Sequence, residues 1–172
     1  HKRDFKIRRM ETRVTANTIA GTEYYTLPDD YIAMRNIKLN TDPKTPLEFL
    51  TPEIMDRLNA GSQTGCPKAY SIKGNDIQLR PIPDGVYEIE VSYYKTFAPL
   101  SDSNTTNDML THHPDVYLYG ALVEAEPYLQ NDKRIITWQG FYKEARKAII
   151  ESNERDRHSG TAPVTRIDYG LY

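Results

Sequence analysis

Residues 70–94 read YSIKGNDIQLRPIPDGVYEIEVSYY, and this stretch decides the fold class. Gly74 and Asn75 separate two short runs in which apolar and polar residues alternate, which is typical of a hairpin with a two-residue turn. The Pro-Asp-Gly sequence at 83–85 predicts a second turn before the next run. Residues 69–96 are therefore predicted to form a three-stranded antiparallel meander.

The last run of that stretch alternates strictly between apolar and polar side chains. Such alternation predicts a strand with one packed face and one face in solvent. The packed positions are Tyr87, Ile89, Val91 and Tyr93. The solvent-facing positions are Glu88, Glu90 and Ser92.

The β pattern extends on both sides of this stretch, so residues 12–97 are predicted as one β domain. In residues 31–40 the apolar parity changes after Met34, which indicates a β-bulge. A short helix is predicted at 52–60, with Ile54, Met55 and Leu58 as its apolar face. The signals for its ends are an N-cap at Thr51, a proline at Pro52 and a glycine at Gly61.

Residues 114–158 have a helical period and predict an antiparallel helical hairpin. The first helix is expected to run from about Pro114 to about Leu129, and Pro127 is expected to kink it or to end it near Glu126. Its two apolar stripes comprise Leu118, Leu122, Ala125 and Leu129, and Val116, Tyr119 and Val123. The second helix is predicted from Lys133 to Arg155. Its predicted core face consists of Ile135, Trp138, Tyr142, Ala145 and Ile149. Its predicted outer face is charged and consists of Lys143, Glu144, Arg146, Lys147 and Glu151. The fold class is thus α+β: an antiparallel sheet or sandwich with a C-terminal helical hairpin.

Three other segments carry separate predictions. Residues 1–11 are basic and read as the end of a helix that begins upstream. Residues 98–113 are rich in Ser, Asp, Asn and Thr and predict a loop. Residues 159–172 have no helical period but are too apolar for a free tail. They are predicted as an extended arm that docks on another surface, the alternative being packing on its own domain.

Composition excludes several classes of protein. The 172 residues carry a net charge of -2, so nothing indicates general binding to a polyanion. No run approaches the roughly 20 apolar residues of a membrane span. Cys66 is the single cysteine, which excludes an internal disulfide. The 13 tyrosines suit either buried strands or contacts between subunits, and composition does not choose between them.

The adjacent histidines His112 and His113 are the most conspicuous candidate for chemistry. They do not have the i, i+4 spacing that places two imidazoles on one helical face for zinc. Pro114 and Asp115 instead suit the first turn of a helix. We therefore predict a helix start there, and no catalytic, cofactor-binding or metal-binding residue. A second hypothesis uses Glu88 and Glu90 with exposed tyrosines as a β-sandwich carbohydrate-binding or glycan-degrading module.

The order of several phrases resembles a known family. These phrases are YTLPDDYIAMRNIKL, PLEFLTPEIMDRL, PKAYSIKGNDIQLRPIPDGVYEIEVSYYKTFAPLSD, LTHHPDVYLYGALVEAEPYLQND and WQGFYKEARKAIIESNERDRHSG. From Asp4 to Gly160 the chain is similar to the head-to-tail adaptor (connector) proteins of short-tailed bacteriophages.

That resemblance implies a structural virion protein without enzyme activity or cofactor, in which the helical hairpin completes a helical bundle beside the β domain. On the second hypothesis, the chain would be a glycan-binding or glycan-degrading module of a phage tail. Such adaptors form a ring, typically of twelve copies, beneath the portal, extend the DNA channel and offer a platform for tail proteins. The genome passes through the lumen during ejection without sequence-specific binding. It further implies assembly in the host cytoplasm, a place in the neck of the particle, and helical sequence before residue 1. The expected contact with the portal or a neighbouring subunit is the arm formed by Val164, Thr165, Arg166, Ile167, Asp168, Tyr169, Gly170, Leu171 and Tyr172.

Overall fold

The computed structural model describes residues 6–58, 61, 63–125, 128 and 133–157. The chain divides into two compact units. We call Met10–Thr96 the β unit, and the described residues of 6–9 and from Phe97 onward the helical unit. The α+β class is confirmed. The predicted arm at 159–172 lies outside the described residues, as do residues 1–5.

The described part of the β unit holds two four-stranded sheets. Its strands are β1 (Glu11–Asn17), β2 (Tyr24–Thr26), β3 (Tyr31–Leu39), β4 (Thr45–Pro46), β5 (Glu48–Phe49), β6 (Ala69–Lys73), β7 (Asp76–Arg80) and β8 (Glu88–Lys95). One sheet has the order β1-β8-β3-β4, and the other has the order β2-β7-β6-β5. Neighbouring strands are antiparallel except β5 and β6, which are parallel.

The predicted hairpin is confirmed, but the predicted meander is wrong. Strands β6 and β7 pair around Gly74, whose φ of 62° suits the left-handed region. Strand β8 does not extend this pair, because it lies in the other sheet between β1 and β3. Prolines at 81 and 83 lack the N–H donor that a continuing ladder needs. Alternation along β8 correctly indicated a strand, but it carries no information about which strands are its neighbours.

The bulge in β3 is confirmed. Its register against β8 shifts between Tyr31 and Ala33 and again between Met34 and Asn36. Each shift moves the following side chains to the opposite face, which explains the change of parity in the sequence. As a result Ile37 and Leu39 face the core, where they are almost completely buried.

Side chains from both sheets meet in one hydrophobic core. Its members are Leu27, Ile37, Leu39, Leu47, Tyr70, Ile77, Leu79, Ile89, Val91 and Tyr93. Burial of such side chains is the main favourable term in folding. A sandwich arrangement agrees with this shared core and stays a prediction.

Helix α1 (Pro52–Leu58) begins where the sequence predicted. The backbone N–H of Met55 donates to the carbonyl of Thr51 at 2.8 Å and closes the first turn. Met55 is fully buried, whereas Ile54 is 40 % exposed. The predicted apolar face was therefore wrong at Ile54 and right at Met55. Residues 59 and 60 lie outside the described part of the chain.

The helical unit corrects two predictions about connecting segments. Residues 98–113 contain helix α2 (Asp108–His112), where a loop was expected. Asn107 supplies the N-cap, since its side chain accepts the N–H of Leu110 at 2.8 Å. The Ser, Asp and Asn composition hid this helix because the same residues favour caps and turns. Among the described residues of the segment 1–11 there is no α-helix: a 3₁₀ turn at Arg8–Met10 leads into β1.

Helices α3 (Pro114–Glu124) and α4 (Ile135–Arg157) follow. They contact each other through Tyr119 and Phe141, whose ring centroids lie 5.1 Å apart. An ideal Cβ built on Gly120 would lie 3.3 Å from the ring of Tyr142. The antiparallel order of the two helices stays a prediction.

The predicted core face of α4 is confirmed. Ala145 and Ile149 are buried, and Ile135, Trp138 and Tyr142 are half-buried. On α3, Val116 is buried, but Leu118 is 56 % exposed. The prediction that the stripe containing Leu118 is buried was therefore wrong at Leu118. Helix α3 ends two residues before the predicted boundary at Glu126, which itself lies outside the described residues.

Candidate interaction surfaces

A buried carboxylate on β8 organises the outer face of its sheet. Glu90 is only 4 % exposed, although the alternation of the strand predicted solvent exposure. Its carboxylate lies 2.8 Å from the Lys38 ammonium, 3.6 Å from that of Lys44 and 3.8 Å from the Arg13 guanidinium. These long side chains cover Glu90 with their methylene groups while their charges remain near water. The prediction of a solvated Glu90 was wrong because a central strand has cationic neighbours on both sides.

The charges around Glu90 determine its protonation. A hydrogen bond from Lys38 holds the pKa of the Glu90 carboxyl below its usual value, and the attraction of Lys38, Arg13 and Lys44 acts in the same direction against the effect of burial. A glycosidase acid needs a raised pKa and open access to the sugar. A buried, ion-paired Glu90 has neither property. The arrangement therefore argues against the glycan-degrading hypothesis.

A second ion pair on this face joins Glu11 of β1 to Arg35 of β3. Together with the Glu90 cluster, it gives the outer face of the sheet alternating acidic and basic groups. Such a face has no strong field of either sign. It suits contact with a similarly mixed surface, where charge pairs select the register more than they add affinity.

An open apolar groove lies along the N-terminal half of β3. It has a volume of about 420 Å³ and is lined by residues 31–35 together with Phe49, Tyr70 and Ile72. Phe49 is 51 % exposed, and its ring centroid lies 5.4 Å from that of Tyr70. The groove is lined mainly by apolar side chains and lies at the part of β3 that does not pair with β4. Sequence reasoning missed it, because its walls come from strands that are distant along the chain.

Burial in the lining of the groove raises the pKa of two tyrosines, Tyr31 and Tyr70. Burial raises the pKa of Tyr31, and a hydrogen bond with Met34 opposes this effect. Burial also raises the pKa of Tyr70, with a smaller contribution from nearby Tyr31. Both shifts favour the neutral phenol, as expected where water has limited access.

The helical unit exposes several large apolar side chains. They are Leu100, Leu118, Tyr128, Ile136, Phe141 and Ile150. Its buried hydrophobic residues are Ile7, Met109, Val116, Ala145 and Ile149. Where such side chains lie together in one patch, they mark a contact surface.

Residues 6–9 attach to the C-terminal half of α4. The backbone N–H of Arg8 donates to the Asn153 side chain at 2.7 Å, and the Arg9 guanidinium lies 3.4 Å from the Asp108 carboxylate. Arg8 also donates to the carbonyl of Asp156 at 3.4 Å. Arg8 and Arg9 thus have partners within the helical unit, which agrees with a structural role.

The adjacent histidines occupy two helix ends. His112 closes α2, and its Nδ1 lies 2.9 Å from the carbonyl oxygen of Asp108. His113 precedes Pro114, the first residue of α3, and Asp115 lies in the first turn. The predicted helix start is confirmed. In the described ranges no three His, Cys, Asp or Glu residues are grouped so that they would bind a metal ion.

Predictions were also made for Cys66, for residues 164–172 and for membrane spans. Cys66 is half-buried with a free thiol, 3.9 Å from the carbonyl oxygen of Pro67. The partner-binding residues predicted at 164–172 lie outside the described part of the chain. Of the helices that the structure describes, none combines the length and the hydrophobicity that a membrane span requires.

Comparison with known proteins supports the resemblance seen in the sequence. A comparison with curated proteins finds none that matches this chain. A family model described as SU10 adaptor protein matches residues 2–166. Because this match covers nearly all of the 172 residues, the chain belongs to the SU10 adaptor protein family, a family of phage head-to-tail adaptors.

Proposed function

We propose that this protein forms a ring beneath the phage portal, extends the DNA channel and provides a platform for tail proteins. The single observation that carries this proposal is the family match over residues 2–166. Twelve copies are the expected number, and the finished ring lies in the neck of the virion after assembly in the host cytoplasm. The role is structural and needs neither catalysis nor a cofactor.

The surfaces of the two units support assembly. A closed ring is built from head-to-tail contacts, so each subunit must present two different complementary faces. The exposed apolar side chains of the helical unit and the groove of the β unit are two such faces. The mixed charges around Glu90 and Arg35 supply pairs that would set the register of neighbouring copies.

The net charge of -2 suits a channel that DNA crosses without being held. A strongly basic wall would bind phosphates and retain the genome. The ion pairs on the outer face of the first sheet already neutralise Arg13, Lys38 and Lys44 in part. The proposal therefore predicts no sequence-specific binding to DNA.

The test is to mix the protein with purified portal rings from the same genome and to image the mixture by negative-stain electron microscopy. We expect a regular collar added to the portal, and its symmetry gives the number of copies. Portal rings from an unrelated phage serve as the control and should stay bare. Bare cognate portals at high protein excess would contradict the proposal.

The role of residues 164–172 is tested in the same assay by deleting them. If this segment binds the portal or a neighbouring subunit, the deletion removes the collar or makes it incomplete. A collar of normal symmetry and stability from the deleted protein would show that the segment is not needed, while leaving the ring itself established.

A further inference from the structure

The groove of the β unit lies beside an unpaired strand edge. Strand β3 pairs with β4 only through Lys38 and Leu39, whereas its pairing with β8 runs from Tyr31 to Leu39. On the side opposite β8, residues 31–35 have no partner strand among the residues that the structure describes. These residues form one wall of the groove. An open edge with apolar side chains beside it is a template for another extended segment.

The opposite wall provides apolar pockets. Phe49 and Tyr70 form a tilted aromatic pair, and Ile72 continues this wall along β6. Strand β5 covers only the first two residues of β6, at Ala69 and Tyr70. Beyond Tyr70, Lys73 of β6 pairs with Asp56 of α1 at 2.6 Å, while the half-buried Ile72 still lines the groove.

The C-terminal residues have the pattern that this edge requires. Ile167, Tyr169 and Leu171 alternate at i, i+2 and i+4, so an extended chain would present all three on one face. Five extended residues span roughly 13 Å from first to last, the same as residues 31–35 of β3. Residues 167–172 also lie beyond the stretch matched by the adaptor family, so the family match does not account for this pattern.

Charge and reach agree with this pairing. Asp168 carries the charge opposite to Arg35, which lines the groove, pairs with Glu11 and keeps 48 % of its side chain exposed, so a second carboxylate can approach it. Helix α4 ends at Arg157, and the ten steps from there to Ile167 reach up to about 33 Å when extended. A segment of this length is long enough to extend from one subunit to a neighbouring one.

We propose that residues 164–172 of one copy add as an edge strand to β3 of a neighbouring copy and place Ile167, Tyr169 and Leu171 in its groove. Main-chain hydrogen bonds to the β3 edge supply affinity, and the alternate side chains supply specificity. The proposal rests on the proposed ring and names the surface that its C-terminal segment binds.

The first experiment measures binding of a labelled peptide of residues 163–172. The receptor is the full chain carrying Ile167→Asp and Leu171→Asp, so that its own segment does not compete. We expect saturable binding that Phe49→Asp in the receptor weakens at least tenfold. Val86→Asp is the matched control, because Val86 is an exposed apolar residue outside the groove, and it should leave binding unchanged. Absence of saturable binding, or equal weakening by both variants, would overturn the proposal.

The second experiment follows amide hydrogen exchange in residues 31–36. Adding the peptide should slow exchange there at least tenfold, because an added strand forms hydrogen bonds with the β3 edge. In the unmodified full chain, the same protection should appear only at concentrations where sedimentation detects oligomers. Protection in the monomer, or none at any concentration, would overturn docking between copies.

The portal assay separates this proposal from the proposed function. A collar formed by the full chain with no effect of Phe49→Asp on peptide binding would overturn the groove assignment and leave the adaptor role intact. Peptide binding that requires Phe49, without a collar on cognate portals, would support the groove and contradict the portal role.

Discussion

The Glu90 carboxylate lies 2.8 Å from the Lys38 ammonium on the neighbouring strand, buried where the sequence pattern placed an exposed side chain. Strand β8 lies between β3 and β1, so Glu90 forms ion pairs with Lys38 of β3 on one side and with Arg13 of β1 on the other. A buried carboxylate is tolerated only when it is paired and hydrogen-bonded. This relationship makes Glu90 a structural residue with a defined pH dependence.

The first prediction concerns acid sensitivity. The pKa of Glu90 is lowered from its ordinary value of 4.5, chiefly by the hydrogen bond from Lys38. Its stabilising contribution is therefore present above pH 4.5 and is lost as the pH falls through the lowered pKa. We expect Glu90→Gln to lower the urea midpoint at pH 7, and this deficit to shrink steadily as the pH falls below 4.5.

Glu88→Gln is the matched control, since Glu88 lies two residues away on the same strand and is exposed. It should change the urea midpoint little across the same pH range. A deficit of Glu90→Gln that does not shrink at any pH below 4.5 at which the protein stays folded would contradict the assigned ion pairs.

The second prediction concerns helix α1. Met55 is fully buried, and its replacement in Met55→Ala should lower the free energy of unfolding by about 2–4 kcal/mol, through lost burial and a cavity. The adjacent Ile54 is 40 % exposed, so Ile54→Ala should cost less than about 1 kcal/mol. Chemical denaturation of both variants checks this difference. Equal losses would mean that the helix packs through a different face.

The third prediction concerns the β6–β7 turn. Gly74 has a φ of 62°, and an alanine there pays a steric penalty of about 1–2 kcal/mol. Gly74→Ala should therefore destabilise the β unit by about 1 kcal/mol in urea denaturation. Gly85→Ala is the control, because Gly85 has no positive φ and no atom within 4 Å of a built Cβ. That change should lie within about 0.5 kcal/mol of wild type.

The fourth prediction concerns the contact between α3 and α4. A Cβ at Gly120 would lie 3.3 Å from the Tyr142 ring, whereas a Cβ at Gly140 meets nothing within 4 Å. Gly140→Ala should raise the free energy of unfolding by about 1 kcal/mol through helix propensity. Gly120→Ala should be neutral or destabilising, because crowding of the Tyr142 ring offsets that gain. Thermal denaturation of the two variants is the measurement, and an equal gain for both would contradict the close packing at Gly120.

Much of the local structure could be predicted from residue types. The hairpin turn at Gly74, the bulge after Met34 and the start of α3 at Pro114 follow from backbone preferences that act over a few residues. The core face of α4 follows equally from its helical period. Helix α2 was missed because its Asn and Asp residues suit both loops and helix caps.

The sequence by itself determined where α1, α3 and the β6–β7 turn begin, which faces of α4 and β8 are apolar, and the order of phrases that led to the adaptor family. Only the tertiary structure decided that β8 lies between β1 and β3, that cations cover Glu90, and that Phe49 meets the β3 edge in a groove. The physical reason is the range of the interactions. Turn and helix preferences act between near neighbours, whereas strand order, burial of a charge and the walls of a groove depend on contacts between residues far apart in the chain.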